Sequence, residues 1–130
     1  KSYIIIIIVF KKVMNKIPEL NGRVYEPHMA GPNTEKPYVV VRMGTESPDG
    51  VTNVFSKEVQ LWVYAEPTSF SELDRLVYKI RKEINNANMV TAHGFEFSLR
   101  FIGTVGDDFY DTDWKALGQG LRFEFPLIHE

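Results

Sequence analysis

Residues 54–86 carry the clearest pattern of hydrophobic and polar positions in the chain, an alternating segment followed at once by a helical one. Within 54–65, one side is apolar and the other is polar or aromatic, which predicts a strand with one face on a core. The two sides are Phe55, Val59, Leu61 and Val63, and Glu58, Gln60, Trp62 and Tyr64. From Ser69 onward, apolar residues recur at helical spacing and predict an amphipathic helix, with Ser69 and Glu72 spaced as a capping box. Its apolar stripe is Phe70, Leu73, Leu76, Val77, Ile80 and Ile84.

The remaining chain divides into a first helix, three more strands and two long polar loops. Over residues 2–17, apolar positions repeat every four residues and predict a helix that ends before Pro18, although five consecutive isoleucines favour a strand by propensity. The other predicted strands are 37–45, 95–104 and 119–128, and the predicted loops are 44–53 and 105–118. Residues 23–26 are expected to be a short extended piece, and 88–93 a connection or an edge strand.

These elements predict an α+β fold with a four-stranded, mainly antiparallel sheet, two helices packed on one face, and long hairpin loops. Strands 37–45 and 54–65 form the first expected hairpin, and 95–104 and 119–128 form the second. The expected core is Phe55, Val59, Leu61, Val63, Leu73, Leu76, Val77, Ile80, Ile84, Phe95, Phe97, Leu99, Phe101, Leu121, Phe123 and Phe125. The length of 130 residues predicts one domain, 1–130.

Composition narrows the classes of protein that this chain can be. The net charge of −2 gives no indication of a nucleic-acid or anionic membrane partner. The chain has no cysteine, which excludes disulfides, thiolate metal sites and a cysteine nucleophile. The apolar run 3–10 is too short to span a bilayer as a helix, so we expect it to be part of the core, with membrane insertion as the less favoured alternative, and we expect no membrane partner.

The residues that could carry chemistry form no recognisable catalytic set. Four carboxylates in the loop 105–118 are the best metal candidates, but they lack the spacing of an EF-hand, and a solvated loop is the favoured interpretation. They are Asp107, Asp108, Asp111 and Asp113. The histidines, at 28, 93 and 129, are scattered. We therefore expect no enzyme, no metal and no cofactor.

Aromatic residues stand at positions where polar ones are usual. Trp62 and Tyr64 lie on the polar side of their strand, where they either pack under a helix or loop or contact a partner. Phe109, Tyr110 and Trp114 lie in a loop rich in charge, and exposed aromatic residues are typical anchors of protein interfaces. For this loop we expect an interface.

Five short motifs, in this order, resemble those of the tail-completion proteins of long-tailed bacteriophages, the small tail-to-head joining proteins related in fold to tail terminators. They span nearly the whole chain, and their specificity comes from order and spacing. The motifs are Gly22–Tyr25 after an N-terminal helix, Pro37–Val41, Gln60–Tyr64, Leu73–Leu76 and Gly120–Phe125. The isoleucine run departs from the more mixed first helix that this family leads one to expect.

The resemblance implies one tail-completion-like domain over 1–130 that is a structural protein of a phage or prophage virion and not an enzyme. Members of the family form rings, commonly hexamers, at the head-proximal end of the tail tube, where they stop tube growth and dock the head. The implied partners are further copies of the chain, the tail-tube protein and a head-completion or connector protein, without sequence-specific nucleic acid. The implied location is the tail–head junction of a virion assembled in the bacterial cytoplasm.

Two sets of residues are the candidate subunit interface of such a ring, because a closed ring requires that two different patches match. The first set is Asp107, Asp108, Phe109, Tyr110, Asp111, Asp113 and Trp114, and the second is Lys57, Arg75, Lys79, Arg81 and Lys82. We expect the loops 44–53 and 105–118 to be mobile in the free protein and ordered on assembly. The alternative function is a small ferredoxin-like domain that binds a ligand or regulates a process in a bacterial cell. A metal-dependent hydrolase that uses the acidic loop is a more distant one.

Overall fold

The computed structural model describes residues 8, 10–48, 54–85, 89–90, 96–97 and 99–128. A first helix, α1, is described at residues 8 and 10–14. The other elements are β1 (Val24–Tyr25), β2 (Tyr38–Pro48), β3 (Val54–Ala65), α2 (Phe70–Asn85), β4 (Met89–Val90), β5 (Glu96–Phe97), β6 (Arg100–Asp111) and β7 (Ala116–Ile128). Two short 3₁₀ turns, Pro18–Leu20 and Pro27–Met29, flank β1.

The main sheet has five strands in the order β1-β2-β3-β7-β6. The two expected hairpins are present as antiparallel pairs, β2 with β3 and β6 with β7. They are joined through a long antiparallel pairing of β3 with β7, in which Leu61 lies opposite Leu121. β1 pairs with β2 in parallel, and β4 and β5 form a separate two-stranded sheet. In the described part of the chain, β6 is therefore one edge of the main sheet.

One face of the main sheet carries both helices and the larger core. Buried side chains of α2, such as Leu73 and Ile80, belong to one cluster with Leu61, Leu121 and Phe123 of the sheet. The N-terminal segment adds Phe10, Met14, Ile17 and Leu20 to the same cluster. Because the apolar sides of strands and helices meet here, this face corresponds to the alternation and the stripe that the sequence shows, except at Phe70, which is exposed.

The start of α2 matches the capping signal in the sequence in part. The Ser69 hydroxyl accepts a hydrogen bond from the Ser71 N–H at 3.0 Å, which satisfies a donor of the first helical turn. The Glu72 carboxylate accepts instead from Arg75 on the next turn, at 3.0 Å. The serine half of the capping box is thus present, and Glu72 serves a surface ion pair.

The structure corrects the expected fold in three places. The main sheet has five strands and not four, because 23–26 supplies the parallel edge strand β1. The expected loop 105–118 is wrong: β6 continues to Asp111 and β7 begins at Ala116, so that only 112–115 is a turn. The expected strand 95–104 is two strands in different sheets, β5 and the start of β6.

The remaining boundaries differ by a few residues. Helix α1 ends at 14 rather than 17, and Ile17 is extended before the turn at Pro18. β2 runs to Pro48, so part of the expected loop 44–53 is strand, and 49–53 lies outside the described residues. The start of the expected helix 2–17 lies outside them as well. Among the residues described, no helix is long and apolar enough to span a membrane.

The expected core is confirmed wherever its side chains are described. The confirmed buried members are Val59, Leu61, Val63, Leu73, Leu76, Ile80, Ile84, Leu99, Leu121 and Phe123. Val77 and Phe101 are partly buried and pack against this cluster. Phe55, Phe95, Phe97 and Phe125 lie outside the residues whose side chains are described.

Candidate functional site

The outer face of the sheet, opposite the helices, carries a cluster of aromatic rings at one end. Tyr38 and Tyr64 lie side by side on β2 and β3 with ring centroids 5.1 Å apart. Trp114 lies 5.0 Å from Tyr64, and Phe109 meets the edges of Trp62 and Tyr64 at 6.0 and 6.2 Å. Tyr38 is fully buried and Tyr64 nearly so, and burial raises the pKa of both phenols. We call these five residues the outer aromatic cluster.

Two glycines of β7 make room for this cluster. Gly118 lies opposite Tyr64 and Gly120 opposite Trp62 in the register. A Cβ atom at Gly118 would come within 2.5 Å of the Phe109 ring, and one at Gly120 within 2.9 Å of Val105. The rings therefore pack against a part of β7 where a side chain would clash with them, which is a packing reason for glycine in a strand.

The turn at residues 112–115 is held by the carboxylate of Asp111. One Asp111 oxygen, Oδ1, accepts hydrogen bonds from the backbone N–H groups of Asp113 and Trp114, each at 3.0 Å. Lys115 completes the turn in the left-handed conformation, with φ of 51°. This arrangement carries Trp114 back onto the outer aromatic cluster and leaves Asp113 exposed at the tip. Asp111 is thus a turn-forming residue, as aspartate often is.

Asp111→Ala should lower the free energy of unfolding by about 0.5–2 kcal/mol, the range for loss of a side-chain cap. Two backbone donors would lose their acceptor, and Trp114 would lose its fixed position over Tyr64. Chemical denaturation followed by tryptophan fluorescence measures both effects. Asp113→Ala is the matched control, since its exposed side chain lies two residues further along, within the turn. Equal stability of the two variants would contradict the role of Asp111.

A bulge in β6 positions the other two loop carboxylates. Between Val105 and Phe109 the pairing with β7 is irregular, and Gly106 has φ of +69°. The buried Gln119 amide donates to the Gly106 carbonyl at 3.3 Å, which helps to fix the bulge. Asp107 is exposed here, and the Asp108 carboxylate faces that of Asp74 on α2. A bulge of this kind re-aims side chains at the edge of a sheet.

Burial and the neighbouring carboxylates of Asp74 and Asp107 raise the pKa of Asp108 above its ordinary value of 3.8. A raised carboxyl pKa opposes folding when the group is ionised, so this cost is present at neutral pH and disappears as the pH falls below 3.8. Asp108→Asn should therefore raise the melting temperature at pH 7 and give a smaller gain at pH 3.5. Melting curves of the parent and the variant at both values measure the effect. A gain that is larger at the acidic pH would contradict the assignment.

The other end of the outer face is polar and internally paired. The Arg122 guanidinium donates two hydrogen bonds to Glu58, at 3.0 and 3.2 Å, and lowers the pKa of that carboxyl. Gln60 donates to Glu58 at 2.7 Å and accepts from the Trp62 indole N–H at 2.9 Å. A chain of hydrogen bonds thus connects the aromatic end of the face to its charged end.

The structure brings together only part of each expected interface set. Phe109 and Trp114 pack on their own sheet, whereas Tyr110 is 51% exposed and available to a partner. In the basic set, Arg75 pairs with Glu72, and Lys79 pairs with Glu19 at 2.5 Å.

The other three members of the basic set lie in different places. The Arg81 guanidinium lies 3.9 Å from the centre of the Phe101 ring, beside β6. Lys82 is exposed on α2. Lys57 lies on β3, and its side chain is not among those that the structure describes. The four members on α2 are thus spread around the helix rather than gathered in one patch.

Comparison with known proteins identifies a similar fold. A chain in a solved structure titled "Virion of native gene transfer agent (GTA) particle" aligns with a TM-score of 0.67 over 96% of this chain and 96% of that one. The two sequences are 15% identical, so the likeness is one of fold. No family model matches this chain, and no curated protein is significantly similar to it.

The carboxylates that the sequence offers as metal candidates do not converge on one point in the described structure. Among the described residues, no group of three or more histidine, aspartate or glutamate side chains is placed to hold a metal ion. Of these four carboxylates, that of Asp111 holds the turn and that of Asp108 faces α2. His93 and His129 lie outside the described residues. Exposed Tyr110, Asp107 and Asp113 are left facing solvent at the β6 edge.

Proposed function

We propose that this chain is a structural virion protein that forms a ring at the head-proximal end of a phage-type tail, ends the tail tube and joins it to the head. The observation that carries the proposal is the fold similarity over 96% of both chains to a protein of a virion. The ordered motifs that resemble tail-completion proteins support the same role independently, because they are read from the sequence alone.

The geometry of the turn at 112–115 supports a contact role for this end of the molecule. The outer aromatic cluster and the Asp111 hydrogen bonds hold the turn in one conformation. A contact residue held this way loses little conformational freedom on binding, which favours affinity. Tyr110 offers an exposed aromatic anchor, and Asp113 offers a charge at the rim of the same surface.

The proposed partners are further copies of the chain, the tail-tube protein and a head-completion or connector protein. The proposed place is the tail–head junction of a virion assembled in the bacterial cytoplasm. The role is a structural one without catalysis, consistent with a site whose carboxylates serve a turn and a helix contact.

The test is assembly in a host that produces the particles. Deletion of the coding sequence should give tails of irregular length that are not joined to heads, as seen by negative-stain electron microscopy, and expression of the parent protein in trans should restore joined particles. Tyr110→Ala and Asp113→Lys are the informative variants, because both side chains are exposed and neither holds the fold. Trp114→Ala and Asp111→Lys are poorer choices, since both would alter the packing of the monomer itself.

The parent and the variants should have the same circular dichroism spectrum, whereas the variants should restore fewer joined particles. Normal joined particles from the deletion strain would refute the proposed function. Full restoration by both folded variants would leave the ring role standing and remove Tyr110 and Asp113 from the contact.

A further inference from the structure

Helix α2 separates two flanks of the molecule. Arg81 points to one flank, where its guanidinium lies over Phe101 of β6. Lys79 points to the other, where it pairs with Glu19 in the turn that follows α1. Residues two apart on a helix lie on nearly opposite sides, because each residue advances the helix by about 100°. The β6 edge and the N-terminal segment are therefore on opposite flanks of α2.

The sheet supports the same arrangement. α2 packs over β3, β7 and β6. The N-terminal segment packs on the same face, since Phe10 and Leu20 belong to the core cluster that also contains Val24 and Val39. β6 lies at one edge of the main sheet and β1 at the other.

The two flanks carry opposite charge. Residues 100–115, which include β6 and its turn, contain four aspartates against Arg100 and Lys115. Residues 10–16 contain three lysines and no carboxylate, and all three lysines are exposed. Among the described residues, none of these lysines takes part in an ion pair. The N-terminal flank thus offers unpaired positive charge, and the β6 flank offers exposed negative charge at Asp107 and Asp113.

We propose that the β6 flank of one copy, through Asp107 and Asp113, docks on the N-terminal segment of the next copy, at the exposed Lys11, Lys12 and Lys16. The proposed contact rests on the proposed ring and identifies the two surfaces that would form it. Both surfaces occur once per chain and lie on opposite flanks, so each copy can bind two neighbours head to tail, as rotational closure requires. The contact replaces the basic set of α2 as the partner of the acidic turn, since Arg75 and Lys79 already have partners within the chain.

The experiment reverses the charge of each flank separately in the purified protein. One variant carries Asp107→Lys and Asp113→Lys, and the other carries Lys12→Glu and Lys16→Glu. Sedimentation velocity over a concentration series up to the millimolar range, at low and at high salt, measures self-association. Lys82→Glu is the matched control, because Lys82 is equally exposed but lies on the outer side of α2. Circular dichroism checks that all variants fold. If the variant with lysine at 107 and 113 does not fold, a variant with Asp107→Asn and Asp113→Asn replaces it.

Each reversed variant should self-associate at least about tenfold more weakly than the parent, because like charges then face each other. An equimolar mixture of the two variants should associate nearly as well as the parent. The lysines introduced at 107 and 113 in one variant can bind the glutamates introduced at 12 and 16 in the other, and the two unchanged flanks can bind each other as in the parent. Association of the parent and of the mixture should weaken with salt, as expected for exposed charges. The Lys82→Glu variant should self-associate as strongly as the parent.

Three results would overturn the proposed contact. They are parent-like association of both reversed variants, a mixture that associates no better than its components, and a parent that stays monomeric throughout. None of these bears on the deletion experiment, which tests the tail role in the particle. Conversely, a head-to-tail contact in solution together with normal particles from the deletion strain would retain the contact and refute the tail role.

Discussion

Phe123→Ala should lower the free energy of unfolding by about 3–5 kcal/mol, the usual loss when a buried phenylalanine is truncated. Phe123 is fully buried on β7, between β3 and β6. Its ring meets the edge of Phe101 at 5.5 Å, and Phe101 in turn lies under the Arg81 guanidinium. The alanine variant would leave a cavity where the sheet, the edge strand and α2 meet. Equilibrium denaturation by urea measures the loss.

Tyr78→Ala provides the control for this prediction. Tyr78 is 65% exposed on α2, so its truncation should change stability by no more than about 0.5 kcal/mol. A loss below 1 kcal/mol for Phe123→Ala, or an equal loss for both variants, would mean that the centre of the core lies elsewhere.

Gly118→Ala should lower the free energy of unfolding by about 1–3 kcal/mol through overpacking. The new methyl group would lie 2.5 Å from the Phe109 ring, which must leave its place over β7. With the ring displaced, the edge contacts of Phe109 with Trp62 and Tyr64 are lost. Denaturation followed by tryptophan fluorescence should register both the lower stability and the altered surroundings of Trp62.

A double-mutant cycle isolates this clash. In a Phe109→Ala background the Gly118→Ala substitution should cost less, with a coupling of about 0.5–3 kcal/mol between neighbouring sites. Gly31→Ala is the matched control, because a Cβ atom there would meet nothing within 4 Å. Additive effects of Gly118→Ala and Phe109→Ala would contradict the packing described for the outer face.

Local periodicity was enough to predict the hairpins and most of the core. Alternation identified strands β2, β3 and β7, and helical spacing identified α2, because each of these elements buries one side. The pairing of β3 with β7 was not predicted, since it joins residues more than fifty positions apart that share only an apolar face. Sequence patterns carry little information on such long-range neighbours.

The prediction of a loop over 105–118 was wrong because a bulged edge strand lacks the alternation by which a strand is predicted from a single sequence. β6 is an edge strand with a bulge, so its residues do not alternate and many remain polar. Edges of sheets tolerate such residues, and bulges and charges discourage unwanted pairing there. The turn at 112–115 depends on Asp111, whose carboxylate accepts a hydrogen bond from the Trp114 N–H. An aspartate just before such a polar segment is a sequence signal for an Asx turn.

The sequence predicted the outer aromatic cluster only in part. Trp62 and Tyr64 were expected either to pack under a helix or loop or to contact a partner, and packing under the residues of the β6–β7 hairpin is the outcome. The alternating Gly118 and Gly120 of β7 were the missing signal. Glycines spaced two apart in a strand leave room for large rings from neighbouring strands. Their meaning became clear only with the register.

The most direct test of the proposed ring is a cryo-electron microscopy reconstruction of the tail–head junction of intact particles. We predict a single ring of this chain between the tail tube and the head, with the five-stranded sheet recognisable in each copy. We further predict that the β6 edge of each copy faces the N-terminal segment of the next. Particles with intact, joined tails whose junction contains no copy of this chain would contradict the proposed ring.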